Sequence, residues 1–375
     1  MAMTGREMRS WIDENGTLTL SLETVTIADP GDDEVIVRVE AAPINPSDLG
    51  LLLGPADLSS ISEVGTPGKP ALTFHVPTAR LAGVRGRLGD SLPVGNEGAG
   101  TVVAAGRNAT ALLGKRVGMI GGGMYADYRR IGRPDVLELP DGVSAVDGAS
   151  MFINPLTALG FVETARREGH KAIVHTAAAS NLGQMLQKIC LTDGVPLINI
   201  VRSPAQVEIL RNIGATHILN SEEEGFSGRL VDLIAETGAT VAFDSVGGGA
   251  LGSMILQAME RAATRRMTRF ERYGSDSFKQ LYIYGVLNAA PTRLNCLAFG
   301  WQWRVSGWLL WTFLRGAGRD VEDRLRQRVV AELTTTFAST YSRTIGLGEA
   351  LQPDILQAYL LKATGQKFLI DPTRD

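Results

Sequence analysis

Residues 171–203 read KAIVHTAAASNLGQMLQKICLTDGVPLINIVRS, and this stretch decides the fold. Lys171–Thr176 is a short, nearly continuous apolar run, the pattern of a buried strand. After the small residues of Ala177–Gly183, Leu182, Met185, Leu186, Ile189 and Cys190 share one helix face. Val195–Val201 is again a strand. Strand, helix and strand in about thirty residues make a βαβ unit. The alternation continues with a helix over Ala205–Ile213, a strand over His217–Asn220 and a helix over Gly228–Glu236. Strands over Thr240–Ser245 and Tyr282–Val286 complete it. A parallel sheet follows, covered on both faces, which is why its strands carry few polar residues.

Upstream the pattern differs. In Glu34–Ala41 (EVIVRVEA) Val35, Val37 and Val39 alternate with Ile36, Arg38 and Glu40, as in a strand with one buried face. Gly95–Gly106 and Gly114–Gly123 are short apolar strands bounded by glycine, and Ala42–Asp48 (APINPSD) is a turn. Residues 1–150 are therefore expected to form a small β-rich domain, and 151–345 a second domain built on the parallel sheet. Leu51–Leu92, punctuated by glycine and proline, takes no regular assignment. A chain of 375 residues agrees with two domains at roughly 150 residues each.

Composition removes several classes of function. With 44% hydrophobic and 21% charged residues, the chain has ample material for packed cores. Lys and Arg number 37 against 40 Asp and Glu, a net charge of -3 that offers no field for nucleic acid or anionic membranes. Two cysteines, Cys190 and Cys296, make no disulfide framework. Met1–Gly16 has no apolar run, so a cytoplasmic location is expected. Leu297–Leu314 carries Arg304 and several polar residues, which argues against membrane insertion. The histidines are His75, His170, His175 and His217, and there is no Cys-x-x-Cys, so no metal site is expected.

A parallel sheet of this kind binds ligands beyond the carboxyl ends of its strands. The loop Ala177, Ala178, Ala179, Ser180, Asn181, Leu182 and Gly183 leads straight into a helix. Unpaired N–H groups and the positive dipole end suit a pyrophosphate there. Ser180 and Asn181 stand where glycines are usual, and the alternative is an ordinary strand-to-helix loop. The next strand ends Val201-Arg202-Ser203. An acid at that place would hold a ribose hydroxyl, whereas arginine pairs with a 2′-phosphate, so NADPH is favoured over NADH. A solvated loop arginine is the alternative.

The arrangement resembles the medium-chain dehydrogenase/reductase superfamily over nearly the whole chain. The landmarks are Asn45-Pro46-Ser47-Asp48, Gly95-Asn96-Glu97-Gly98-Ala99-Gly100 and Gly114-Lys115-Arg116-Val117. Tyr125-Ala126-Asp127-Tyr128, Asn154-Pro155-Leu156-Thr157-Ala158 and Gly365-Gln366-Lys367 follow in order. The resemblance implies an α/β protein with a β-rich GroES-like first domain, rejoined by 346–375, and a Rossmann doubly wound parallel-sheet domain. It also implies a homodimer. Zinc-dependent members carry Cys and His where Asn45 and Asn96 stand, so the chain looks like the zinc-free branch, close to NADPH:quinone oxidoreductases and enoyl-thioester reductases.

Without a Lewis acid the acceptor must already be electron-poor. The expected reaction is hydride transfer from NADPH to a small quinone or another α,β-unsaturated carbonyl. An enoyl-thioester (2-enoyl-CoA) reductase and a non-catalytic NADPH-binding protein are the alternatives. An enoyl thioester needs a positioned acid, yet no tyrosine occurs between Asp48 and Glu97. His75 is a solvated loop histidine or, as the alternative, the substitute acid in that segment. By the resemblance Asn45 contacts the nicotinamide or the acceptor oxygen, unless it forms an Asx-turn, and Thr157 bonds the nicotinamide side, unless it is a helix-start hydroxyl. Ser245 ends a strand by the cofactor, backbone groups of Gly285, Val286 and Leu287 hold the carboxamide, and Lys367 closes over the phosphate side. Asp48 fixes its loop, and Tyr125 and Tyr128 face the core. Arg261–Lys279 is a lid or a solvated insertion. Trp301, Trp303, Trp308 and Trp311 line a flat pocket by stacking, or serve the core or a subunit contact.

Overall fold

Alternation of apolar with polar residues, as in Thr17–Ile27 (TLTLSLETVTI), gives the N-terminal segment its strands. The structure is a computed structural model describing residues 3–66, 68–361 and 364–374. Its first strands are β1 (Met3–Ile12), β2 (Thr17–Ile27), β3 (Glu34–Pro43), β4 (Asp57–Glu63) and β5 (Ala71–His75). β6 (Ser91–Pro93), β7 (Glu97–Ala105), β8 (Arg116–Ile120), β9 (Tyr128–Gly132) and β10 (Val136–Glu138) follow. Helices α1 (Asp48–Leu52), α2 (Thr78–Leu81) and α3 (Ala145–Gly148) are short. One sheet has the order β4-β5-β2-β1-β6, and β10-β8-β7-β3 run through a second, with β9 also on β3. The unassigned stretch Leu51–Leu92 holds the β4–β5 pair and α2. β4 (DLSSISE) is a polar edge strand with no buried residue. An edge strand with no buried face shows no apolar alternation.

The next part begins with α4 (Ile153–Arg167), β11 (Ile173–Thr176), α5 (Asn181–Asp193), β12 (Leu197–Val201) and α6 (Pro204–Arg211). It continues through β13 (Ile218–Asn220), α7 (Phe226–Thr237), β14 (Val241–Asp244), β15 (Gly247–Gly249) and α8 (Leu251–Thr264). β16 (Lys279–Ile283), β17 (Asn288–Thr292), β18 (Trp303–Gly307), α9 (Leu310–Ala317) and α10 (Arg319–Ala331) complete it. The main sheet has the order β13-β12-β11-β14-β16-β18. All five neighbouring pairs are parallel. Counted within this sheet the order is 3-2-1-4-5-6, the doubly wound Rossmann arrangement, whose direction reverses between β11 and β14. Val174, Ile198, Ala242 and Leu281 of four adjacent strands lie in one core with Phe226, Leu230 and Ile255 of α7 and α8.

The chain ends with β19 (Arg343–Ile345), α11 (Pro353–Leu360) and β20 (Phe368–Ile370). β20 pairs antiparallel with β3 and parallel with β19, extending the second sheet of the N-terminal part. Ile345, Leu356, Phe368 and Ile370 accordingly share a core with Val35, Val37 and Val117. Two compact units result: Met1–Ile153 with Val329–Asp375, and Asn154–Arg328. The return thus begins at Val329 rather than at 346.

Two expectations about the second unit change. The strand expected at Tyr282–Val286 is β16, shifted toward the N-terminus and starting at Lys279. A lysine breaks an apolar run, but this one is fully buried because its ammonium bonds Glu260 at 2.6 Å. Glu260 also receives the backbone N–H and hydroxyl of Ser275, so residues 265–278 are anchored at their base. The tryptophans do not form one surface. Trp308 is buried with its Nε1 donating to Thr164, Trp303 packs edge-on against Phe299, and Trp301 and Trp311 are exposed.

Candidate functional site

In unit Asn154–Arg328 the turn after β11 is tight. Ala177 has φ +49°, the one positive φ at a non-glycine residue among the described residues. Ala178 and Ala179 are buried. Ser180 is the N-cap of α5, its Oγ accepting the Gly183 N–H at 3.1 Å. A Cβ on Gly183 would lie 2.1 Å from the Ala178 carbonyl oxygen. Glycine here lets the helix start press against the turn. Asn181 and Leu182 form the first turn of α5, whose dipole end lies beyond β11. Arg202 follows β12 and is exposed, its backbone N–H donating to Gln206. Ser203 caps α6, accepting the Gln206 N–H at 3.4 Å.

The ends of β11 and β14 are joined by side chains. Thr176 Oγ1 donates to Asp244 Oδ1 at 2.6 Å and accepts the Ser245 N–H at 2.9 Å. The other Asp244 oxygen accepts the Gly247 N–H. Beyond β16 the chain turns back: Leu287 N donates to Ser245 O at 3.0 Å. Gly285 passes so close that its Cβ would stand 3.0 Å from that carbonyl oxygen. Val286 and Leu287 are exposed. Tyr284, Gly285, Val286, Trp308 and Leu309 line a mostly apolar pocket. The Tyr284 hydroxyl meets His175 Nε2 at 2.8 Å, and burial pushes that imidazole down to about 3, so it is neutral. Thr157 is buried in the second turn of α4, too far along to cap the helix.

In the other unit a polar cluster surrounds Asn45, only 2% exposed. Asp48 clamps two loops, its carboxylate accepting the Asn45 N–H at 2.7 Å and the Asn96 N–H at 2.8 Å. Burial outweighs those bonds and raises the Asp48 carboxyl to about 7. Asn45 Nδ2 donates to Glu97 Oε1 at 2.8 Å, and the other Glu97 oxygen accepts the N–H groups of Phe152 and Ile153. Asn45 Oδ1 is buried with no hydrogen-bond partner among the described residues. That free atom is an acceptor. It suits a hydroxyl or amide N–H of a ligand.

β20 carries the chain end to this cluster, with Ile44 N donating to Phe368 O at 3.0 Å. Lys367 Nζ, half-buried, donates to Ser150 Oγ at 2.7 Å, and Ser150 Oγ lies 2.7 Å from the Tyr341 hydroxyl. Burial lowers the Lys367 ammonium to about 8 against the opposing pull of Glu97 and Asp48. Ser150 and Tyr341 escape a reading of the sequence because 191 positions separate them. Tyr125 is fully buried, donating to Pro43 O at 3.1 Å, while Tyr128 is half-buried. His75 is exposed at the end of β5.

Solved structures share this architecture. The quinone oxidoreductase of Escherichia coli, complexed with NADPH, matches 99% of this chain and 100% of its own, with TM-score 0.69 and 19% identity. A mutant form of the enoyl thioester reductase from Candida tropicalis matches 98% and 100%, with TM-score 0.70 and 18% identity. The chain shares the fold of these proteins. No family model matches it. In sequence it is similar to the mitochondrial enoyl-[acyl-carrier-protein] reductase of Xenopus tropicalis, 28% identical over 214 residues, covering 54% of this chain and 53% of that protein. The chain spans about half the length of the curated relatives it matches.

Asn45 and Asn96 each turn an amide N–H group, to Glu97 and Ser47 respectively. Amides so engaged, without thiolate or imidazole beside them, do not fit zinc. Among the described residues no group of three or more His, Cys, Asp or Glu is placed to hold a metal. No helix among them is long and apolar enough to cross a membrane.

Proposed function

We propose that the chain is an NADPH-dependent, zinc-independent reductase of a carbon–carbon double bond conjugated to a carbonyl, with 2-enoyl thioesters as the substrate class. The observation that carries the cofactor is Arg202, exposed just past β12 with no carboxylate at the strand end. Its guanidinium would pair with a 2′-phosphate. The capped N-terminus of α5, with Gly183 pressed on Ala178, would receive the pyrophosphate. The loop after β16, at Gly285, Val286 and Leu287, offers backbone groups to the carboxamide. Asn45 Oδ1, buried and unpartnered, would accept from a ligand donor. The cofactor, when bound, supplies the hydride; the protein supplies orientation and a proton.

The relatives named enoyl-[acyl-carrier-protein] reductase support the thioester class. A quinone is the second choice, favoured by the absence of tyrosine between Asp48 and Glu97, because quinone oxygens take protons from water. The test is NADPH oxidation with 2-enoyl thioesters, small enones and quinones, each with and without a chelator. Enoyl turnover insensitive to chelator is expected. NADPH binding without turnover across the panel would leave a non-catalytic NADPH-binding protein, and chelator-sensitive alcohol oxidation would refute the zinc-free chemistry.

A further inference from the structure

We infer that Tyr341, Ser150 and Lys367 form the proton relay of this site, with the Tyr341 phenol as the group that protonates the reduced substrate. This rests on the double-bond reductase function proposed above. Reducing an enoyl thioester needs an acid, and the segment between Asp48 and Glu97 has no tyrosine to provide it.

The three groups form one continuous hydrogen-bonded chain. The Lys367 ammonium has donors only, so the 2.7 Å contact makes Ser150 Oγ the acceptor. Ser150 then has one proton to give, and the Tyr341 oxygen is 2.7 Å away. Either hydroxyl can donate in that contact; with Ser150 as the donor, the phenol O–H is left for the substrate. Lys367 Nζ also lies 5.5 Å from the centre of the Tyr341 ring, so its charge acts directly on the phenol. Ser150 is 1% exposed, whereas Tyr341 and Lys367 are half-buried, so the two ends of the chain reach the surface of their unit and its middle does not. Burial holds the Tyr341 phenol well above the usual tyrosine value, while the Ser150 and Ser339 hydroxyls favour its anion. The phenol is thus protonated at rest, and its conjugate base is met by two donors. Glu97 joins the relay to the rest of the cluster, bonded to Asn45 and felt by Lys367.

The step balances. Hydride adds to the β-carbon of the thioester, and the π pair becomes an enolate. The α-carbon forms a C–H bond with the Tyr341 proton as the phenol O–H breaks. Ser150 reprotonates the phenolate, Lys367 reprotonates Ser150, and water reprotonates Lys367. One NADPH is oxidised and one double bond is reduced.

Tyr341→Phe and Lys367→Arg separate chemistry from structure. Arginine keeps the charge and a hydrogen bond to Ser150 but does not give up its proton. We expect kcat for an enoyl thioester to fall ~100-fold or more in Tyr341→Phe and at least ~10-fold in Lys367→Arg. Dissociation of NADPH, followed by fluorescence, should change less than about threefold. In D2O the wild type should label the α-carbon on one face, and Tyr341→Phe on both. In cofactor-free protein, NMR should show the Lys367 ammonium titrating near 8. Variants that keep wild-type rates and one-face labelling overturn the relay, as does rescue of kcat by Lys367→Arg. Wild type that oxidises no NADPH with any enone or thioester overturns the parent function instead.

Discussion

Gly183→Ala tests whether the turn after β11 is built around a missing side chain. The added Cβ would sit 2.1 Å from the Ala178 carbonyl oxygen, 2.6 Å from its carbonyl carbon and 2.8 Å from its Cα. All three are backbone atoms, so no rotamer change relieves the clash. A carbon and an oxygen need more than 3 Å, so the start of α5 must move by about 1 Å. Overpacking of this kind costs about 1–3 kcal/mol, and contact with backbone puts it at the upper end. Alanine returns at most about 1 kcal/mol of helix propensity, leaving a net loss near 2 kcal/mol. For a unit the size of Asn154–Arg328 that is a fall in Tm of roughly 4–8 °C. The same shift displaces the N–H groups offered to the pyrophosphate, so NADPH affinity should drop tenfold or more. Gly228→Ala is the control, since it lies inside α7 with nothing within 4 Å of its Cβ. It should stabilise by about 0.5–1 kcal/mol and leave NADPH binding unchanged. Thermal melts and a fluorescence titration read both variants. If Gly183→Ala melts with the wild type and binds NADPH equally well, the steric reasoning is wrong.

Arg202→Glu should weaken NADPH far more than NADH; equal losses in a titration would remove the 2′-phosphate from Arg202. Lys279→Met leaves the Glu260 carboxylate without its ion-pair partner and should cost about 3–5 kcal/mol in denaturant melts. It should also speed proteolysis within 265–278, and an unchanged cleavage rate would show that the pair does not anchor that segment. Lys367 is lowered from 10.5 to about 8 in the folded chain, so between those values the unfolded chain binds more protons. Stability should therefore rise with pH from about 8 to 10.5, by on the order of 1–3 kcal/mol. Lys367→Met should abolish that rise, and a variant with the same pH profile as wild type would place its origin elsewhere.

Local pattern was enough for the first strands and helices of the Rossmann unit, from β11 to β14. Its strands are buried on both faces and its helices are amphipathic, so 171–203 and the repeats after it show where each element lies. The places of Arg202, Ser180 and Gly183 were legible because each is fixed within a few residues of its own strand or helix. Tertiary structure decided what depends on distant partners. Lys279 enters a strand only because Glu260 neutralises it, and β4 is a strand only because β5 lies beside it. Asn45 Oδ1 is left buried without a partner among the described residues because its amide nitrogen donates to Glu97, 52 positions away. Ser150, Tyr341 and Lys367 meet only where β20 pairs with β3, because a buried polar group is completed by whatever the fold brings to it and not by its neighbours in the chain.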